Sequence, residues 1–291
     1  MGSMQFVYNY GVLLKPKVLL AMLALYLLTY FTSTFYSGGF SYDGGLFMVG
    51  FLAVAFAVSG ANALNCYIDR DIDSVMTRTS GRPLALGTIS PNGALCFSGV
   101  MMMVATALSA SLGFVPFILF VEGAASYLLL YTVILKRRSS VNVFSTAPSV
   151  AAPAWFGWYL GGAPLYPLGL LMGLLVAVWG PLHLWTIAYV YAKDYSRVGV
   201  PMIPVDVPRE KAIRWILLAL GLLLGSSYLL VPWAGSSLYI FGVSVVNASL
   251  ALAGVNLYRV KSNRSGWLLF KLTAPYIIVV FLLFLASHVL L

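Results

Sequence analysis

Apolar residues in this chain run on for about twenty positions at a time before a polar or glycine-rich break interrupts them. A helix needs ~20 apolar residues to cross ~30 Å of hydrocarbon, and windows of that kind lie at 13–35, 46–65, 92–111, 114–135, 141–160, 165–190, 213–231, 236–258 and 268–290. Between them stand Ser37-Gly38-Gly39, Gly161-Gly162-Ala163-Pro164, Pro232-Trp233-Ala234-Gly235 and several basic loops. The pattern predicts an all-α integral membrane protein of nine transmembrane helices, forming a single domain over 1–291. Two longer polar segments, 65–92 and 191–212, interrupt it on one side. The opening Met1-Gly2-Ser3 ahead of Met4 reads as a cloning remnant.

Composition agrees with a lipid environment. Of 291 residues, 61% are apolar and 9% are charged, too few charges to solvate a soluble domain of this size. Cys66 and Cys96 are too few for a disulfide framework and lie in no metal-ligand spacing. The net charge of +9, from 17 Lys+Arg against 8 Asp+Glu, would suggest nucleic acid in a soluble protein. Here its placement argues otherwise. With nine spans, all 17 basic residues, from Lys15 to Lys271, fall on one side of the membrane. The positive-inside rule then puts the N-terminus in the cytoplasm and the C-terminus outside, with no nucleic-acid partner implied. Eight or ten spans would scatter the cations over both faces. Long polar loops follow the second and sixth spans and short basic loops the fourth and eighth, as if a four-span unit were repeated with a ninth added.

The densest polar chemistry follows the second span. Asn65, Asp69 and Asp73 are spaced by four, and four residues advance a helix by about 400°, so the three share one face. Asp71 lies about 200° from Asp69, on the other side. Two carboxylates and an amide at a membrane boundary suit Mg²⁺, which binds through one or two carboxylates plus substrate phosphates. Arg78 and Arg82 follow, cations suited to phosphate oxygens. The competing structural reading is a helix end whose acids pair with neighbouring arginines.

The run Asn65-x-x-x-Asp69-x-x-x-Asp73 after a second span resembles the first aspartate-rich motif of the UbiA-type intramembrane prenyltransferases. Within that family the likeness is closer to the branch that farnesylates protohaem. It is carried by Asp69-Arg70-Asp71-Ile72-Asp73, Arg78-Thr79, Arg82-Pro83-Leu84, Leu135-Lys136-Arg137-Arg138 with Asn142, Trp179-x-Pro181-x-His183-x-Trp185, Lys193-Asp194-Tyr195 and Gly199-x-Pro201-Met202. Lys15-Pro16-Lys17 also resembles the family's opening. The resemblance implies a UbiA-like bundle in the cell membrane, with a polar cavity facing the cytoplasm and Mg²⁺-dependent transfer of a prenyl group. In the protohaem branch, farnesyl passes from farnesyl diphosphate to a vinyl group of haem B to give haem O. The second acidic motif of many family members is reduced here, with Tyr191 where its first aspartate would stand. The protohaem branch shares that reduction.

On this reading Asp69 and Asp73 hold Mg²⁺, and Asn65 and Asp194 complete the polar shell. Arg78, Arg82, Lys136, Arg137 and Lys193 face the diphosphate. Asn142, Tyr191 and Tyr195 are further candidate substrate contacts. His183, eleven residues before Asp194, shares its face and lies about 16 Å deeper if one helix continues. It is a candidate to bind the haem or to take up a proton, against the plainer reading of a hydrogen-bonded intramembrane histidine. Glu122 in the fourth span and His288 near the outer end of the last are read both ways. Two alternatives stay open: prenylation of a quinone precursor such as 4-hydroxybenzoate, and an ion or solute transporter. Against transport, the acids cluster at one face of the membrane rather than at its midplane.

Overall fold

The computed structural model describes residues 3–37 and 43–290; Gly38 and Gly39 of the first expected break lie outside them, as do Met1 and Gly2. Among the described residues the chain is helical, without strands. It contains α1 (Ser3–Leu13), α2 (Pro16–Tyr36), α3 (Gly44–Ile68), α4 (Arg70–Val75), α5 (Pro91–Ser111) and α6 (Phe114–Ala124). After α6 the chain widens into a π-helix, Ala125–Leu135, and then a 3₁₀ segment, Asn142–Thr146, leads into α7 (Ala147–Leu160). The second half comprises α8 (Leu170–Val190), α9 (Ala192–Arg197), α10 (Ile203–Asp206), α11 (Arg209–Tyr228), α12 (Ser237–Val260) and α13 (Asn263–Val289).

Eight of these runs are long and apolar enough to cross a membrane. The exception is the expected fifth span, where α7 has only 14 residues. Pro148 and Pro153 lack the amide hydrogens that a longer regular helix would use. At ~1.5 Å per residue in α7 and ~2.0 Å in the 3₁₀ segment, the two together still rise about 31 Å.

The bundle closes on itself. Each long helix packs on the next in the chain, and α13 returns against α2. Tight contacts depend on small residues: a Cβ on Gly157 of α7 would run into the backbone carbonyl of Tyr26 in α2. The largest core cluster includes Trp158, Met172, Trp179, Tyr239, Tyr276 and Phe281.

The two halves share one device. α3 gives way to α4 at Asp69 (φ −88°, ψ 4°), and α8 gives way to α9 at Tyr191 (φ −102°, ψ 29°). Each short helix keeps the chain turning at the bundle end, so residues just past each break face the loops. The same break overturns one expectation, because α8 stops at Val190 and does not carry His183 and Asp194 along one regular helix.

Candidate active site

Where α3 ends, its polar face meets the π-helix, the end of α1 and the loop after α4. Asp69 is fully buried, and Asn65 and Asp73 are 3% exposed. Backbone hydrogen bonds from Asp69 N to Asn65 O (2.9 Å) and from Asp73 N to Asp69 O (2.8 Å) hold the four-residue spacing through the break. Asp71 points away and is exposed, as its angular position requires.

Cations cover each carboxylate. Lys136 pairs with Asp69 Oδ2 and Arg82 with Asp73 Oδ2. Arg137 grips Asp71 with two hydrogen bonds of 2.6 Å, and its Nη2 lies 4.0 Å from Asp69 Oδ1. That guanidinium holds the exposed Asp71 carboxyl below its ordinary value. Asp69 Oδ1 is buried yet accepts no hydrogen bond among the described residues.

Three residues of the site escaped sequence reasoning. Lys15 Nζ donates to Asn65 Oδ1 (2.6 Å) and to the Tyr127 hydroxyl (3.3 Å). Asn65 Nδ2 in turn donates to Asp69 Oδ2 (2.8 Å) and to Thr132 Oγ1 (3.1 Å). Lys15 sits in the left-handed region at φ 50°, directly before Pro16, a conformation that costs energy in a non-glycine residue. Tyr127 and Thr132 are aimed by the π-helix, whose wider turn shows in Lys136 N bonding Tyr131 O (2.8 Å), five residues back. No hydropathy pattern announces a π-helix. Lys15 did stand in a resembling motif, but it read as a topology charge.

The remaining expected residues occupy other places. Asp194 is buried and clamps the loop after α4: Oδ1 accepts from Thr77 Oγ1 (2.9 Å) and Oδ2 from the Arg78 backbone N–H (3.1 Å). Arg197 stands 3.7 Å from the same carboxylate. The Arg78 and Lys193 side chains are exposed. Asn142 is buried and ties two loops together, donating to the carbonyls of Lys136 (3.2 Å) and Pro201 (2.9 Å). Tyr195 packs with Ile72, Met76 and Met202, and Tyr191 meets Trp267 edge to face. His183 is sandwiched between Trp179 (4.7 Å) and Phe270 (4.5 Å), with Nδ1 2.9 Å from Thr273 Oγ1. Glu122 keeps one buried oxygen without a hydrogen-bond partner among the described residues, and His288 bonds Phe284 O at 2.9 Å.

Among the described residues no three His, Cys, Asp or Glu side chains converge as a complete metal cage. The donor set nonetheless fits Mg²⁺, which takes one or two carboxylates and completes its shell with water and phosphate oxygens. Asp69 Oδ1 is a buried anionic oxygen that has no hydrogen-bond donor among the described residues. Asp69 and Asp73 are the residues that would hold the ion.

The UbiA prenyltransferase family model matches residues 26–287. The chain belongs to the UbiA prenyltransferase family. A protohaem IX farnesyltransferase from Desulforudis audaxviator is 37% identical over 82% of this chain and 76% of its own. Another, from Symbiobacterium thermophilum, is 34% identical over 91% and 88%. Two solved structures share the fold of this UbiA-family protein. A digeranylgeranylglyceryl phosphate synthase superposes with a TM-score of 0.79 at 19% identity, covering 98% of this chain and 99% of that one. A UbiA homolog from Archaeoglobus fulgidus bound to DMAPP and Mg²⁺ gives 0.68 at 16% identity, covering 94% and 99%. The protein is therefore a multi-pass membrane prenyltransferase, and the transporter alternative falls.

Proposed function

We propose that this prenyltransferase moves a farnesyl group from farnesyl diphosphate to a vinyl group of haem B, giving haem O. The observation that carries the reading is the buried Asn65–Asp69–Asp73 face with its ring of cations, in a chain whose curated relatives bear the name protohaem IX farnesyltransferase.

Lys15, Arg82, Lys136 and Arg137 outnumber the three carboxylates Asp69, Asp71 and Asp73 by one positive charge. An incoming diphosphate supplies new anionic partners for these cations. Mg²⁺, held by Asp69 and Asp73, would neutralise part of the charge that gathers on the leaving diphosphate. Lys136 and Arg82 then stabilise that charge as the allylic C–O bond breaks, in a site where low dielectric strengthens each contact. The vinyl π-electrons close a C–C bond to the allylic carbon. Water adds to the cation left beside the porphyrin and loses a proton. The apolar bundle takes the isoprenoid chain and excludes bulk water from the cation until capture.

The decisive assay is incubation of purified protein with haem B, farnesyl diphosphate and Mg²⁺, read by mass spectrometry. A heavier, hydroxylated farnesyl-haem is expected, and its formation should stop when Mg²⁺ is chelated. Farnesylation of 4-hydroxybenzoate with haem untouched would transfer the protein to the quinone-type reading.

The site is proposed to face the cytoplasm, on the charge asymmetry of the loops. Reporters fused at Ser139 and Ser262 should then be cytoplasmic, and one after Leu291 should lie outside. A cytoplasmic C-terminal reporter would mean an even number of spans and would overturn this orientation.

A further inference from the structure

A cavity of about 320 Å³ opens beside α9 and is lined by Thr77, Tyr191, Lys193, Asp194, Arg209 and Asn263 among others. That volume sits at the low end of the range for ligand pockets, about 300–1,000 Å³. It suits the polar end of a ligand better than a whole macrocycle. Its one acid, Asp194, is already engaged by Thr77, the Arg78 amide and Arg197. Its cations are in a different state. Lys193 is exposed and makes no ion pair among the described residues. The Arg209 head is fixed in place. Nε donates to the Tyr189 hydroxyl (2.7 Å), Nη2 donates to Asn263 Oδ1 (2.9 Å), and the guanidinium lies 4.7 Å over the Tyr189 ring. Asn263 is itself anchored on Val190 O (3.1 Å). Nη1 is left with no partner among the described residues, a pre-oriented donor for a carboxylate or phosphate.

A row of rings leads inward from this cavity. Tyr191 on its wall meets Trp267 at 6.1 Å, and Trp267 stacks on Phe270 at 5.1 Å. Phe270 stacks on His183 at 4.5 Å, and His183 on Trp179 at 4.7 Å. Lys271 Nζ stands 5.7 Å over the Trp267 ring. The row runs along α8 and α13, from the bundle end into the span. An anion-binding head beside a row of aromatic side chains, stacked on one another so that their edges face outward, matches a flat acceptor with carboxylates on one edge. Haem B has that shape, with two propionates on one edge and its vinyl groups away from it.

We infer that this cavity binds the propionate carboxylates of the porphyrin acceptor through Arg209 and Lys193, with the macrocycle lying along the row from Tyr191 towards His183. The inference rests on the haem reading above. It gives Lys193 to the acceptor, where its sequence position had suggested the diphosphate. The diphosphate already has Lys15, Arg82, Lys136 and Arg137 at the acidic face. Asp194, by bonding Thr77 and Arg78, makes the loop after the acidic motif a shared wall between the two sites.

The test compares haem B with its dimethyl ester, in which both carboxylates are neutral. Each is titrated into the full-length protein by Soret absorbance, and farnesyl diphosphate with Mg²⁺ is titrated by calorimetry. Wild type should bind haem B at least about tenfold more tightly than the ester, as charge-assisted contacts to a carboxylate require. K193Q/R209Q should bind haem B no better than the ester while its farnesyl diphosphate affinity is unchanged, which also shows that it is folded. R209K should recover part of the preference. Equal affinity of wild type for haem B and its ester would overturn the inference and leave the haem reading standing. A K193Q/R209Q variant that loses farnesyl diphosphate instead would overturn it too and assign the cavity to the diphosphate. Absence of saturable haem binding by wild type would overturn the haem reading itself, and this inference with it.

Discussion

Asp69→Asn is expected to lower kcat by on the order of 10²–10³, the scale set by removing one dominant electrostatic contact to a developing charge. Asp71→Asn, two residues away, should change kcat by no more than about twofold, because an exposed ion pair contributes only ~0–1 kcal/mol. Their surroundings give the contrast. The Asp69 side chain is 0% exposed and Asp71's is 59% exposed, although each is paired with a cation. Asparagine keeps the shape of Asp69 and can still accept from Asn65. It removes the charge that offsets Lys136 and the anionic oxygen suited to Mg²⁺. Breaking a buried pair from one side costs about 3–5 kcal/mol. Lys136 retains 13% side-chain exposure, so water relieves part of that here. Thermal unfolding should accompany the kinetics, and calorimetry with farnesyl diphosphate should show the Mg²⁺-dependent part of binding lost in D69N alone. Equal losses in D69N and D71N would sink the assignment of one functional face. A normal kcat in D69N would remove Asp69 from the mechanism.

Much of this was legible along the chain because membrane helices announce themselves. A run of apolar residues has few other ways to satisfy its backbone, so eight of the nine expected windows correspond to long helices. The acidic face was legible for a similar reason, since spacing by four survives even the break at Asp69. What failed to show depends on local departures from regular geometry. The fifth window shortens because its prolines divide the work between a 3₁₀ segment and α7. The face shared by His183 and Asp194 dissolves at Tyr191, where one residue leaves helical geometry. Tyr127 and Thr132 are ordinary members of an apolar span until π-helical turns aim Tyr127 at Lys15 and Thr132 at Asn65. Family resemblance supplied the chemistry that periodicity could not, namely the diphosphate and the acceptor.

Lys15→Met should lower kcat by on the order of 10²-fold, although sequence position gives Lys15 no role beyond fixing topology. Lys15 acts through Asn65. A side-chain amide has one accepting and one donating end, and only the donating end can serve the Asp69 carboxylate. Lys15 Nζ, 2.6 Å from Asn65 Oδ1, occupies the accepting end and so fixes which way the amide points. Methionine fills similar space but leaves that oxygen buried without a donor, a cost of ~1–3 kcal/mol that a flipped amide would relieve. Flipping would turn an oxygen towards Asp69 Oδ2, now 2.8 Å from Asn65 Nδ2, and repel the carboxylate. The strained backbone at φ 50° points the same way, since a cation needed only for topology has no reason to be held there. Lys15→Arg keeps the charge on a longer, forked head and should recover part of the rate. A topology-only role predicts something else. With Lys17 and the other basic residues in place, reporter orientation and kcat would both survive Lys15→Met. Kinetics of the two variants, beside a reporter fusion at Ser139, separate these outcomes. A fall in kcat with cytoplasmic Ser139 supports the positioning role, and an unchanged kcat in Lys15→Met would refute it.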